Sequence, residues 1–227
     1  MLILLLVGGL ASNPCTLAVA TEVAALHPRQ RDFATWRFGL FLHFNVSTFA
    51  DSEWANGHED PALFAPTELD CGQWADAAKA AGMSYAILTV KHTGGWCLAP
   101  SCVLVANNAH NLRQSDVLSY EWPLTPQGKA SKLHGLPGHT GMLPPDGNQS
   151  PAELCDTLQT QARWFWHPGL GDADLQSVER MAETYRLSRE RNANYLLNVP
   201  PDRDGLIPGK SVQRLRELGR LVGASPR

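Results

Sequence analysis

The sequence lacks an excess of charge of either sign. Its 227 residues include 19 lysines and arginines and 22 aspartates and glutamates, which gives a formal net charge of −3. A protein that grips a phosphate backbone needs a basic field, so this balance argues against nucleic acid as a partner. Hydrophobic residues make up 44% of the chain, and this content excludes a disordered or coiled-coil protein.

The sequence also lacks an apolar run long enough to cross a bilayer, which takes roughly 20 residues. Residues 1–20 carry no charged side chain, and they combine the apolar run Ile3–Leu10 with small residues before Thr21. This pattern predicts a signal peptide over residues 1–20, cleaved after Ala20, and a mature chain of residues 21–227. We therefore expect a secreted or lysosomal protein with no membrane partner, the alternative being a membrane anchor.

Two sequons are compatible with this route and with a glycoprotein. They begin at Asn45 and Asn148, and a serine follows each asparagine two residues later. Cleavage of the signal peptide would remove Cys15 and leave an even number of cysteines for an oxidising compartment. Cys97 and Cys102 form the most local possible pair, and the sequence leaves the connectivity open.

Motifs for a metal, a nucleotide or a serine nucleophile are absent. The eight histidines do not fall into HxH or HExxH spacing, and no paired CxxC motifs occur. The sequence contains no GxSxG, GxGxxG or P-loop, which argues against a lipase-like serine hydrolase and against a nucleotide enzyme. We therefore expect neither a metal nor a cofactor.

The chain begins and ends with the alternation of strands and helices that is typical of an α/β protein. We predict strands at Phe38–Phe44, Tyr85–Val90 and Tyr195–Val199, and helices at Cys71–Ala81, Ser177–Glu190 and Lys210–Val222. Thr67 or Asp70 can cap the first of these helices, and Gly82 can end it. The last helix is expected to bury Val212, Leu215, Leu218 and Leu221 or Val222.

The middle of the chain differs from its two ends. Residues 100–151 show no sustained apolar period and are rich in proline, glycine, asparagine and serine. Compact domains rarely contain a structureless stretch longer than about 15 residues. A complete (β/α)8 barrel takes about 250 residues, so a complete barrel does not fit this chain.

Polar side chains follow the predicted strands at their carboxyl ends. His43, His92 and Asn198 each lie at or just after such an end, where the loops of a parallel α/β sheet converge. A locally satisfied side chain is the alternative for any one of them, whereas the three together predict a shared site. Candidate acids near this mouth, each of which could equally be a solvated loop carboxylate, are Glu53, Glu59, Asp60, Glu153 and Asp156.

The tryptophans differ in their predicted surroundings. Trp36 and Trp74 are predicted to lie in the core. Others fall in predicted loops, where aromatic faces can serve as platforms for sugar rings, although packing is the common alternative. These loop tryptophans are Trp54, Trp96, Trp164 and Trp166.

Stretches spread along the chain match the motifs of one known family. They are Trp36–Phe44, Ser52–Trp54, Asp60–Thr67, Gln73–Trp74, Ala78–Gly82, Ala86–Leu98, Pro151–Asp156, Trp164–Pro168 and Arg191–Arg203. Their combination resembles the alpha-L-fucosidases, which are retaining exo-glycosidases built on a (β/α)-type barrel. The resemblance covers about residues 36–115 and 135–222.

The resemblance implies an α/β fold of a particular kind, an incomplete (β/α)8-like TIM barrel over residues 21–227. The family's nucleophile is an aspartate in a Trp-Phe-Asp-Gly-like strand end, and no such sequence occurs in this chain. The strands that should follow Asp116 are missing, and the family pattern resumes near Gly135. The irregular middle is then a join across a deleted block.

The resemblance also implies roles for particular side chains. His43 and His92 would hydrogen-bond fucose hydroxyls, and Trp54, Trp96 and Trp166 would shape the pocket. Glu153 is the surviving acid/base candidate, and the nucleophile is absent. Arg191 would hold side chains that contact the sugar, the alternative being a cation at a helix C-terminus that faces the helix dipole. The implied partners are fucosylated glycans or glycoconjugates.

Three functional hypotheses follow. The first is an alpha-L-fucosidase by descent, releasing terminal L-fucose by a retaining mechanism, with turnover in doubt because the nucleophile strand is absent. The second is a non-catalytic fucose-binding protein that keeps the histidines and tryptophans. The third is a chain that does not fold, because parallel strands without neighbours leave unpaired edges.

Overall fold

The structure, a computed structural model, describes residues 27–89, 92, 117–121, 151–190 and 192–223. Its elements are α1 (Pro28–Trp36), β1 (Phe38–Leu42), α2 (Val46–Ala50), α3 (Cys71–Ala80), β2 (Tyr85–Leu88), β3 (Leu118–Glu121), β4 (Ala152–Thr157), α4 (Val178–Glu190), β5 (Ala193–Asn198) and α5 (Gly209–Leu221). Short 3₁₀ turns lie at Pro61–Leu63, Thr160–Ala162 and Asp172–Asp174. No helix within these ranges is both long enough and apolar enough to cross a membrane.

The five strands form one parallel sheet in the order β2-β1-β5-β4-β3. The last strand of the chain, β5, lies beside the first strand, β1, and Phe41 is opposite Asn198 in their register. The first and last strands of a closed eight-stranded barrel are neighbours in the same way. The sheet is therefore an arc of such a barrel, which confirms the predicted α/β fold with an incomplete barrel.

One face of the sheet is covered by α3, α4 and α5. Successive strand residues point to opposite faces, so alternate residues of β1, β4 and β5 contribute to this core. The largest of its side chains are Phe38, Leu40, Leu42, Leu154, Tyr195 and Leu197 from the strands and Trp74, Met181, Leu215 and Leu218 from the helices. Each such fully buried side chain contributes roughly 1.5–3 kcal/mol, so this layer dominates the stability of the fold.

The opposite face of the sheet carries a smaller apolar cluster. Cys155 and Leu196 from the strands are buried there under Trp164 and Phe165, which come from the loop after β4. Phe41, Tyr85 and Ile87 pack against this cluster from β1 and β2. This face corresponds to the interior of a barrel, and its residues alternate with those of the helix-covered core.

The ends of α3 follow the predicted local chemistry. Asp70 Oδ1 accepts hydrogen bonds from the N–H groups of Gly72 and Gln73, so Asp70 rather than Thr67 is the cap. The chain turns away at Gly82, whose φ of 78° is costly for any residue with a side chain.

The two tryptophans predicted for the core lie in different environments. Trp74 is 7% exposed, as predicted, and its indole N–H donates to a backbone carbonyl. Trp36 is 45% exposed, so its prediction was wrong. It ends α1 at the amino ends of the strands, where its ring packs on Phe33 and Tyr85. Leu221 is also exposed because it is the last residue of α5.

The strands β3 and β4 were not predicted from the sequence. β4 reads Ala-Glu-Leu-Cys-Asp-Thr, and all six residues are buried. Two acids and a threonine break both the apolar run and the alternation by which a strand is recognised. Its hydrogen bonds to β3 and β5 on either side determine its conformation. β3 lies inside the stretch that was expected to be irregular.

The helix α1, also unpredicted, is held at the amino ends of the strands by Asn194. The Asn194 Nδ2 donates to the carbonyl of Phe33 at 2.8 Å, and its Oδ1 accepts from the N–H of Arg37 at 2.9 Å. Arg37 has a φ of 68° and a ψ of −47°, and this uncommon backbone conformation turns the chain from α1 into β1.

We predict that Gly219 of α5 does not tolerate a side chain. A Cβ there would lie 2.4 Å from the carbonyl oxygen of Ala80 and 3.0 Å from the Cα of Ala81. Gly219→Ala should lower the free energy of unfolding by about 1–3 kcal/mol, because α3 and α5 must move apart. Denaturant unfolding followed by circular dichroism measures this change.

Gly209→Ala is the matched control on the same helix. A Cβ at Gly209 meets no atom within 4 Å, so this variant should be unchanged or more stable by up to about 1 kcal/mol. Equal losses in the two variants would contradict the close packing of α3 on α5. A wild-type transition without cooperativity would support the hypothesis that the chain does not fold.

Candidate functional site

The carboxyl ends of three strands are joined by the amide of Asn198. This residue ends β5, and its Nδ2 donates to Thr157 Oγ1 at 3.1 Å and to the Trp164 carbonyl at 2.9 Å. Its Oδ1 lies 2.8 Å from Nδ1 of His43, which follows β1. Because Thr157 ends β4, one amide connects β1, β4 and β5 at the end of the sheet where (β/α) barrels carry their sites.

These hydrogen bonds determine which nitrogen of His43 carries the proton. The Asn198 Nδ2 donates to two oxygens, so Oδ1 is the acceptor and His43 donates from Nδ1. Burial lowers the pKa of His43 to about 3, the hydrogen bond to Asn198 opposes this shift, and the charge of His92 adds to it. His43 is therefore a neutral imidazole at physiological pH, with Nε2 as its hydrogen-bond acceptor.

Aromatic rings surround this imidazole. The ring of His92 lies 5.4 Å from that of His43 and 5.0 Å from that of Phe165, which is itself 5.3 Å from His43. Trp54 stacks on His92 with a centroid distance of 5.8 Å, and 68% of Trp54 is exposed. Burial lowers the pKa of His92. We call His43, His92, Trp54, Phe165 and Asn198 the His43 group.

Glu53 is the carboxylate that positions the loop beside the His43 group. Its Oε2 accepts from the N–H of Trp164 at 2.9 Å and its Oε1 from the N–H of Phe165 at 3.3 Å. Burial raises the pKa of Glu53, although both backbone hydrogen bonds oppose the shift. The sequence offered Glu53 as one of five candidate acids. The structure distinguishes it, because Glu53 binds the backbone of Phe165, whose ring packs on His43.

A cavity of about 380 Å³ lies next to the His43 group. Its volume is in the usual range of about 300–1,000 Å³ for small-molecule sites. Trp54 and Trp166 both line it, and the Arg203 guanidinium lies 5.8 Å from the Trp166 ring centroid. The remaining lining residues are Asp51, Ser52, Glu53, Gln161, Arg163, Phe165 and His167.

For Trp164 the structure supports packing, the alternative to a sugar platform. This tryptophan is only 7% exposed, and its ring lies 5.2 Å from His43, so it forms a wall behind the imidazole. Asn45 is also buried, and its side-chain oxygen accepts from the N–H of Ser47 at 2.8 Å, so its sequon presents no free side chain for a glycan. The predictions for Trp96, Arg191, Cys97, Cys102, Asn148 and residues 1–20 concern parts of the chain outside the described residues.

Three of the other candidate acids accept hydrogen bonds from groups of the protein itself. Glu59 is half-buried and accepts hydrogen bonds from backbone N–H groups of its own loop, and Asp60 caps a 3₁₀ turn. Asp156 is buried on the helix-covered face, 3.5 Å from the Arg180 guanidinium and 3.0 Å from the Tyr195 hydroxyl. Within the described part of the chain, no three His, Cys, Asp or Glu side chains are grouped as a metal ion would require.

Glu153 lies at the other end of the sheet from the His43 group. It is opposite Asn194 in the register, four residues before Asn198, which corresponds to about 13 Å along the strand. Its Oε2 accepts a hydrogen bond of 2.8 Å from the Tyr85 hydroxyl. The structure therefore does not bring Glu153 to His43, because the second residue of β4 lies at the amino end of the sheet.

An arc of parallel strands with imidazole and indole side chains at their carboxyl ends defines a protein of the TIM-barrel class, with its site under the βα loops. The family model described as Alpha-L-fucosidase matches residues 11–120 and 136–225. The chain belongs to this family.

This chain matches only a small part of the length of its curated relatives. A putative alpha-L-fucosidase 1 from Oryza sativa subsp. japonica is 56% identical over 64 residues, which are 28% of this chain and 12% of the rice protein. A putative alpha-L-fucosidase of known structure from Bacteroides ovatus superposes with a TM-score of 0.62 at 20% identity, covering 86% of this chain and 55% of that one. The alpha-L-fucosidase AlfC from Lactobacillus casei, solved with its alpha-L-fucose product, gives a TM-score of 0.59 at 13% identity over 87% of this chain and 98% of its own. These structural likenesses show the fold.

We predict that His43 does not titrate between pH 5 and pH 8. With a pKa of about 3, its ring carbon and nitrogen chemical shifts should stay constant over this interval in nuclear magnetic resonance spectra. Asn198→Asp places a carboxylate against Nδ1 and should raise the pKa of His43, because an opposite charge stabilises the imidazolium. A wild-type midpoint inside the interval would contradict the assigned neutral state.

Proposed function

We propose that the His43 group binds terminal L-fucose of glycans. The observation that carries this proposal is the 2.8 Å contact between His43 and Asn198, which leaves Nε2 of a neutral imidazole as an acceptor for a sugar hydroxyl. A hydroxyl that donates to such a nitrogen needs no counter-charge. Membership of the alpha-L-fucosidase family supports fucose as the sugar.

The tryptophans supply the apolar part of this proposed site. Trp54 is held by its stacking on His92 and remains 68% exposed, so its indole can cover the C–H groups of a sugar ring. Trp166 lines the same cavity and is steadied by Arg203. The combination of an apolar platform and a few placed polar groups is usual for saccharide and other small-ligand sites.

We further propose that the chain binds fucose without hydrolysing it. A retaining glycosidase needs two carboxyl groups about 5–5.5 Å apart, one as nucleophile and one as acid/base. The Trp-Phe-Asp-Gly-like nucleophile segment is absent from the sequence, and Glu153 lies about four residues along the strand from Asn198. Hydrolysis is the second candidate, and the raised pKa of Glu53 favours it, because burial shifts this carboxyl in the direction that a general acid requires.

We predict that fucose binds saturably and that His92→Ala weakens the binding at least tenfold. Removal of the ring takes away a polar partner and the support under Trp54, and lost hydrogen bonds of this kind amount to about 0.5–1.5 kcal/mol each. Isothermal calorimetry with L-fucose and with a fucosylated oligosaccharide measures the affinity. His58→Ala is the matched control, since His58 is exposed in the loop before Asp60. No heat of binding to wild-type protein would refute the proposal.

We predict no turnover of an aryl alpha-L-fucoside by the purified chain. The covalent route is closed without a nucleophile, and loss of such a group typically leaves only a small remnant of the catalysed rate. Release of the phenol from the aryl fucoside is followed spectrophotometrically. Turnover that disappears in Glu53→Gln would establish the hydrolase alternative and identify Glu53 as a participant, whereas binding without turnover fits the proposal.

A further inference from the structure

A buried carboxyl group lies on the interior face of the sheet, at the end away from the His43 group. Glu153 is 4% exposed, and its Oε2 accepts a hydrogen bond of 2.8 Å from the Tyr85 hydroxyl. Its Oε1 lies 3.9 Å from Cys155 Sγ. Neither partner carries a positive charge, so both are neutral donors to an acid that burial has removed from water.

The elements packed around Glu153 bring apolar rings and an amide. From β2 and β4 come Tyr85 and Cys155, the titratable groups that interact with the carboxyl. From β5 comes Asn194, the register partner of Glu153, whose amide is occupied by backbone groups of α1 and of the residue that follows it. α1 adds the ring of Phe33 against Tyr85, and on β3 the register partner of Glu153 is Ser119.

We propose that Glu153 is a proton-binding site that makes the fold more stable in acid than at neutral pH. Within the described part of the chain, no positively charged side chain pairs with the Glu153 carboxyl, which is buried between a phenol and a thiol. The neutral acid fits the same space at little electrostatic cost. An acid-stabilised fold suits the lysosome, which is one of the two locations that the sequence predicts. The same group has no contact with the proposed fucose site, so the inference stands or falls independently of fucose binding.

The direction of the effect follows from proton linkage. Burial raises the pKa of Glu153 from 4.5 to about 7, against the hydrogen bonds from Tyr85 and Cys155. The folded state therefore holds the proton more tightly than the unfolded state does. Its contribution is fully present below pH 4.5 and is lost as the pH rises to about 7, at up to about tenfold in the unfolding constant per pH unit.

His43, on the same face of the sheet, changes the stability with pH in the opposite direction. Its lowered pKa means that the folded state resists protonation, so its contribution is lost as the pH falls from 6.5 towards 3. The two effects partly cancel between pH 4.5 and pH 6.5. The pH profile of the wild-type protein alone therefore does not isolate Glu153, and a comparison with a variant at that position is needed.

The experiment compares denaturant unfolding of the full wild-type chain and Glu153→Gln from pH 4.5 to pH 8. Glutamine has the shape of the neutral acid, so the unfolding constants should be similar at pH 4.5. At pH 8 the wild type should unfold at least tenfold more readily than the variant. Glu59→Gln is the matched control, because Glu59 is half-buried and backbone N–H groups of its own loop lower its pKa. The pH dependence of unfolding above pH 5 should therefore be the same in this variant as in the wild type.

A variant that is less stable than wild type at pH 8 would overturn the proposal, since it would show that the carboxylate is the favoured form. If Glu153→Gln does not fold, Tyr85→Phe tests the same point. The Tyr85 hydroxyl favours the ionised carboxyl, so its removal should shift the pH window of stability loss to higher pH. An unchanged window in Tyr85→Phe would also overturn the proposal.

Discussion

The described site depends on the hydrogen bonds of the Asn198 side-chain amide. This amide donates to Thr157 and to the backbone of Trp164 and accepts from His43, so a single side chain aligns the ends of three strands. It also determines the tautomer of His43, because an amide that donates twice from its nitrogen has only its oxygen left to accept. Without this amide, a buried imidazole donor would have no acceptor, at a cost of about 1–3 kcal/mol.

This constraint is possible only because β5 pairs with β1. The two strands are separated by most of the described chain, yet their parallel register places Phe41 opposite Asn198 and brings His43 within hydrogen-bond distance of it. Parallel strands need long crossovers, and here the neighbours in the sheet are the first and last strands of the chain. This pairing of the first and last strands is what makes the sheet an arc of a TIM barrel.

Each end of the interior face of the sheet has a buried titratable side chain whose pKa is shifted by burial. At the carboxyl end, Asn198 accompanies a neutral His43, and at the amino end Asn194 lies opposite a Glu153 whose pKa burial raises to about 7. In both places burial favours the uncharged form of the titratable group. The carboxyl end borders the cavity that Trp54 and Trp166 line, whereas at the amino end Asn194 holds the backbone of α1.

The sequence by itself determined the parts of this protein that follow from local pattern. The apolar run of β1, the Asp70 cap with Gly82 as the end of α3, and the positions of His43 and Asn198 at strand ends are all readable along the chain, because each depends on near neighbours. Family motifs added the incomplete barrel. Only the tertiary structure decided that β4 is a strand, since its two acids hide the pattern and its neighbours supply the hydrogen bonds. Only the register placed Glu153 at the far end of the sheet, level with Asn194 and four residues from Asn198. Only the fold of the loop after β4 brought the backbone of Trp164 and Phe165 to Glu53, beside the site.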